Sequence, residues 1–137
     1  MKKLNVKDFN IKLNADELAT EFPLWGNNFG QVIVSVSEVN INDVDFNQIN
    51  EKTAFVESNK KEIISNLLLE IFEDRDNQNK TAEDFMKDLT LSTLCIFPEY
   101  EYRAELGFDL PEDYFGDHFI TGYLEGDNTW DSCTIDG

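Results

Sequence analysis

Residues 30–37, GQVIVSVS, set Val32, Val34 and Val36 against Ile33, Ser35 and Ser37, the period of two that a half-buried strand requires. The earlier stretch DFNIKLN alternates Phe9, Ile11 and Leu13 in the same way and predicts a partner strand. Between them EFPLWGNNFG carries Pro23, Gly26, Asn27, Asn28 and Gly30, residues that punctuate turns, so the pair reads as an N-terminal hairpin with an elaborate loop. The period then changes. Asp45 followed by Gln48 has the form of an N-cap with a reciprocal partner, and Phe46, Ile49, Thr53 and Val56 recur at helical spacing behind it. Asn59 with Glu62 repeats the device ahead of a wide apolar stripe formed by Ile63, Ile64, Leu67, Leu68, Ile71 and Phe72. The polar DRDNQNK ends that helix, and Thr81 with Asp84 opens a short third one that packs through Phe85, Met86 and Leu89.

After Thr90 the period returns to two. LSTLCIF predicts a strand that Pro98 interrupts, and EYEYRAELGF alternates Tyr100, Tyr102, Ala104, Leu106 and Phe108 with Glu99, Glu101, Arg103 and Glu105. LPEDYFGD connects it to a strand HFITGYLE, GDN makes the turn, and TWDSCTID is the last strand. Strict alternation places Trp130 with Ser132 and Thr134, opposite Cys133 and Ile135. The whole pattern predicts an α+β fold: an antiparallel β-sheet built from an N-terminal hairpin and a C-terminal four-strand meander, with about three helices packed on one face.

A length of 137 residues suits a single domain spanning 1–137, and a hydrophobic content of 41% with eleven Phe supplies a core. The opening MKKLNVKDFNIKLN interrupts its apolar residues with Asn, Asp and Lys, unlike a secretory signal, and Ser65, Asn66 and Glu70 break the densest apolar run. A cytoplasmic protein is expected, with Cys95 and Cys133 reduced.

Charge alters the picture most. The chain has 28 Asp and Glu against 11 Lys and Arg, a net charge of −17. Arg103 is the last basic residue, so Asp113, Asp117, Glu125, Asp127 and Asp131 follow with no cation beyond it, and Lys12 to Lys52 brackets a second acidic stretch. Such a chain repels phosphate backbones and anionic lipid, which argues against direct nucleic-acid or membrane binding and for a basic protein partner. The plainer reading is that the acidity only keeps the protein soluble.

Candidate chemistry is sparse. A Cys-His or Ser-His site could be assembled on paper from Cys95 or Cys133, His118, and Asp117 or Asp131, but no spacing selects them. One His and two distant Cys form no zinc pattern. DRDNQNKTAEDF has Asp74 and Asp76 where a calcium loop has ligands, yet Asn79 and Phe85 occupy the positions that need Gly and a bidentate Glu, and DVDFNQ fails likewise. No catalytic residue, metal ligand or cofactor is assigned, and the reading is a binding module, not an enzyme. A metal-assisted hydrolase using surface carboxylates, or an accessory domain, is the alternative. Trp25 and Trp130 among carboxylates suit a docking surface or the end of a core, while Phe115 and Tyr123 are expected inside. The expected partner site is Asp113, Asp117, Glu125, Asp127 and Asp131, with Trp130 as anchor.

GQVIVSVS, the capped central helix, the strand around IFP and the ending FGDHFITGYLEGDNTWDSCTIDG together resemble a group of small acidic bacterial domains of unknown function, some of which stand beside polymorphic toxins as immunity proteins. The resemblance spans about residues 25–137 and is most specific at Phe115–Ile120, although members tend to carry Gly in place of Asp117. It implies no catalytic residues. It implies a cytoplasmic inhibitor that neutralises a cognate toxin, and a basic toxin such as a nuclease would be drawn to a domain of this charge.

Overall fold

The computed structural model describes residues 2–74, 82–111 and 119–136. Seven strands form one sheet in chain order: β1 (Ile11–Asn14), β2 (Glu17–Glu21), β3 (Gln31–Ser35), β4 (Thr90–Phe97), β5 (Arg103–Asp109), β6 (Phe119–Leu124) and β7 (Trp130–Asp136). Every neighbouring pair is antiparallel except β3 and β4, which run parallel. A parallel join needs a long crossover, and the helices α1 (Phe46–Ser58), α2 (Lys60–Asp74) and α3 (Ala82–Asp88) supply it. No helix among the described residues is long and apolar enough to cross a membrane.

The α+β class and the C-terminal four-strand run are as the periodicity predicts, but the N-terminal hairpin is a three-strand meander. ELATE forms β2, which pairs with β3 through Leu18↔Val34 and Thr20↔Val32, and β1 pairs with β2 instead of β3. Its signal is weak because Glu17 and Glu21 frame only two apolar residues. Phe9 does not share a face with Ile11: it ends the short 3₁₀ turn Val6–Asp8 and packs into the main core, whereas Ile11 joins a small cluster on the sheet's other side.

Helix α1 starts where expected, with the Asp45 carboxylate accepting the Asn47 N–H at 2.9 Å. The reciprocal bond differs from the capping box: the Asp45 N–H donates to the Tyr102 hydroxyl at 2.9 Å, so the cap ties α1 to the start of β5. The helices lie on one face of the sheet. Val32, Val34, Leu94, Ile96 and Leu106 from the strands and Ile49, Val56, Ile64 and Leu67 from the helices belong to one buried cluster, whose removal from water drives the packing. Among the described residues the opposite face holds a small apolar cluster of Ala19, Ile33 and Cys95, flanked by Ile11 and Phe97.

Two departures from strict alternation bear on function. Strand β5 begins at Arg103, not Glu99, because Pro98–Tyr100 is a 3₁₀ turn and Glu101 and Tyr102 are left-handed, with φ of 58° and 63°. In the β6–β7 hairpin Tyr123 pairs with Ser132 but Leu124 with Trp130, so Asp131 is an extra, bulged residue. The bulge turns Trp130 onto the core face with Cys133 and Ile135, correcting the placement that period two predicts. Its ring crosses Gly122, where an added Cβ would lie 2.8 Å from the indole.

Candidate binding face

Around the β6–β7 turn the structure gathers three of the predicted partner-binding acids. It also supplies cations that the sequence order hides. Lys52, only 3% exposed on α1, directs its ammonium to the turn and donates to the Glu125 carbonyl at 2.7 Å, the Gly126 carbonyl at 3.3 Å and Asn128 Oδ1 at 2.5 Å. Burial pulls its pKa down to about 8, against the opposing pull of the Asp127 and Glu125 charges. Arg103 Nη2 lies 3.1 Å from Asp131 and 3.7 Å from Glu125. Asp127 accepts the Thr129 N–H at 3.0 Å, and its bonds from Thr129 hold it below its ordinary value. The expectation that nothing neutralises the acids after Arg103 therefore fails for Glu125, Asp127 and Asp131. Asp113 and Asp117, with Phe115 and His118, lie outside the described residues.

Trp130 is half-buried, and its indole N–H donates to Glu70 Oε1 at 2.8 Å, while Glu70 Oε2 accepts the Cys133 N–H at 2.8 Å. Burial acts to raise the Glu70 pKa, but these bonds outweigh it and leave the group lowered. One carboxylate thus fastens α2 to β7. Trp25 is likewise structural: its ring lies 5.7 Å from Phe108 and its indole N–H donates to the Val56 carbonyl at 2.9 Å. Neither cysteine is paired. Burial first, then the charges of Glu17, Glu105 and Glu99, pushes the Cys95 thiol up, and burial with Glu70 pushes Cys133 up to about 12. Both are protonated at neutral pH and are poor nucleophiles.

A different set of acids converges on the sheet face that no described helix covers. Register carries one row across all seven strands: Ile11, Ala19, Ile33, Cys95, Glu105, Tyr123 and Ser132. Glu17 stands beside this row, its Oε2 3.8 Å from the Cys95 sulfur. Glu99 reaches back from the 3₁₀ turn, so that its Oε1 accepts the Ser35 hydroxyl at 2.8 Å and the Ser37 hydroxyl at 3.4 Å. Its Oε2 is buried with no donor among the described residues. Burial raises the Glu105 pKa, opposed by Arg103 and reinforced by Glu17. Arg103 is the sole cation on β2 to β7, and its guanidinium reaches Asp131 on β7.

Beside Glu105 the face sinks into a cleft of about 340 Å³, lined by Phe97, Tyr100, Arg103, Ala104, Glu105 and Tyr123. Phe97 and Tyr100 form a tilted ring pair 6.3 Å apart, and Tyr100 is 60% exposed. Tyr123, expected in the core, is half-buried on this outer face because it stands opposite Glu105. Among the described residues no three of His, Cys, Asp and Glu converge as ligands of a metal ion would. Sequence reasoning missed Glu17, Glu99, Glu105 and Tyr100. The polar side of the alternating EYEYRAELGF was the available signal for two of the acids, whereas β2 gave none for Glu17. No protein-family model matches the chain, and neither a curated protein nor a solved structure matches it.

Proposed function

We propose that this protein is a non-enzymatic binding module, an immunity-type inhibitor in the cytoplasm that neutralises a basic toxin by laying its uncovered acidic sheet face over the toxin's surface. The observation that carries the reading is that face: Glu17, Glu99 and Glu105 share it, Arg103 beside Glu105 is the one cation on the described strands β2 to β7, and a buried Glu99 oxygen lacks a donor among the described residues. A buried acceptor left unpaired is costly to the free chain. Glu125 and Asp131 extend the face through Arg103, and the net charge of −17 steers a basic partner towards it. A nuclease toxin fits this chemistry because its substrate is anionic. The same field disfavours direct nucleic-acid and membrane binding.

The test is a rescue of growth. The reading frame beside the one for this chain is sequenced, and the basic toxin domain that the proposal expects there is induced in cells with and without this chain, and with a variant carrying Glu17→Lys, Glu99→Lys and Glu105→Lys together. Rescue by the native chain that the triple variant loses is expected. In vitro, association of the purified pair should slow at least tenfold at low salt in that variant and lose most of its salt dependence. Toxicity that the native chain leaves unrelieved overturns the reading.

A further inference from the structure

The outer face has a built feature that general acidity does not explain. Phe97, Glu105 and Tyr123 stand on three adjacent strands in contiguous register, with Cys95↔Glu105, Phe97↔Arg103 and Glu105↔Tyr123 as cross-strand pairs. Glu105 directly opposes Tyr123, with Cβ atoms roughly 5 Å apart, whereas Phe97 directly opposes Arg103 and stands diagonal to Glu105 at roughly 7–8 Å, still within reach of an aromatic ring, so the two rings flank the carboxylate together with the Arg103 stem. Tyr100 closes the third side from the loop, where two consecutive left-handed non-glycine residues, Glu101 and Tyr102, set its direction. Backbone of that kind is strained and persists only where its surroundings hold it. Here they do: the Tyr102 hydroxyl accepts from Asp45, and Gly126 packs so tightly on the Glu101 carbonyl that no larger residue fits.

The cleft combines aromatic faces, a half-buried carboxylate with no hydrogen-bond donor among the described residues, and a surrounding negative field. Arg103 lines the cleft and its charge pulls on Glu105, but its Nη2 is engaged by Asp131 and Glu125, and among the described residues no hydrogen bond joins it to Glu105. Among the described residues no metal-ligand set converges here, and aromatic faces beside a carboxylate are complementary to an organic cation. Between the two basic side chains, a planar guanidinium stacks on aromatic rings, sheds its hydration readily and forks onto a carboxylate, whereas an ammonium is a strongly hydrated point charge. We infer that the cleft between the Phe97–Tyr100 pair and Tyr123 receives an arginine side chain of the docked partner, its guanidinium stacked on the rings and paired with Glu105. The inference rests on the docking reading above and gives that face a residue preference.

The experiment uses two blocked peptides of equal length and charge, glycine alternating with arginine in one and with lysine in the other. Each is titrated at low ionic strength into the isotope-labelled full chain and followed by NMR. The arginine peptide should bind about three- to fivefold more tightly, the scale of a half-exposed cation–π contact, with the largest shifts at Tyr100, Glu105 and Tyr123. In Glu105→Gln and in Tyr100→Ala, an exposed loop position that the fold tolerates, the two peptides should bind alike. Equal binding to the native chain, a preference that survives both variants, or shifts centred on the Asp127 turn would overturn the cleft while leaving the docking face standing. Binding of neither peptide would remove the docking face and the cleft together.

Discussion

Glu125, Asp127 and Asp131 crowd around one hairpin turn and share Lys52 and Arg103, whereas Glu17, Glu99 and Glu105 come from three separated segments around a neutral thiol, with Arg103 acting on Glu105 alone. The first group is part of what holds the molecule together. Lys52 bonds to the turn's own carbonyls, and the acids beside it offset some of the cost of burying an ammonium. In the second group no ion pair forms among the described residues, Arg103 acting on Glu105 only from beside it, so these charges are available to something outside the chain. Acids already neutralised within the chain steer a partner less than acids that are not.

The contrast breaks most sharply at Lys52. Lys52→Met keeps the aliphatic stem but leaves two carbonyls and the Asn128 amide oxygen without their donor. A loss of about 2–4 kcal/mol in urea unfolding is expected. The pH dependence has a definite sign. From about 8 up to the ordinary 10.5, the unfolded chain keeps a proton that folded Lys52 has released. Stability from this site therefore rises with pH across that window, and the gap between native protein and variant should widen from pH 8 to pH 10. A gap that narrows would mean the ammonium is better stabilised in the fold than its burial allows.

A smaller effect separates the surface pair from the buried one. Arg103 and Asp131 are each about two-fifths exposed, at 40% and 43%, and exposed pairs contribute little. A double-mutant cycle of Arg103→Met and Asp131→Asn should give a coupling below about 1 kcal/mol, falling further in high salt. A larger, salt-insensitive coupling would make Arg103 as structural as Lys52.

What could be read along the chain follows from how local each cause is. The α2 stripe and the alternation of Ala104, Leu106 and Phe108 are local, and both became the elements they predicted. Trp130 was misplaced by one extra residue, Asp131, which a count in twos cannot register. Lys52 sits between Ile49 and Thr53 on the buried side of α1, and its acceptors are more than seventy residues away. The acidic face is the least local feature. Glu17 belongs to a strand with little pattern, and it meets Glu99 and Glu105 only because β3 and β4 pair in parallel after the helical crossover. The sequence reading therefore chose the acids that were dense along the chain, while the fold left uncompensated those that are dense in space.

The smallest stability effect, with the clearest sign, belongs to Glu105. Burial, opposed by Arg103 and aided by Glu17, holds its pKa above the ordinary 4.5. A carboxylate raised in this way contributes stability that is fully present below its unfolded pKa and is lost as pH rises through its folded one. At neutral pH the ionised group is therefore a burden, and Glu105→Gln keeps the shape while removing the charge. The variant should unfold at the same denaturant concentration as the native chain or slightly higher, with a gain of no more than about 0.5 kcal/mol. That gain should fade as pH falls through the group's raised pKa and be gone below 4.5. Taken with the loss of arginine preference expected of the same variant, equal or greater stability separates the two groups of acids, since removing a compensated charge loosens the fold and removing an uncompensated one does not. A Glu105→Gln protein less stable than the native chain at pH 7 would show that the fold itself uses this carboxylate, and the division between the two groups would fall.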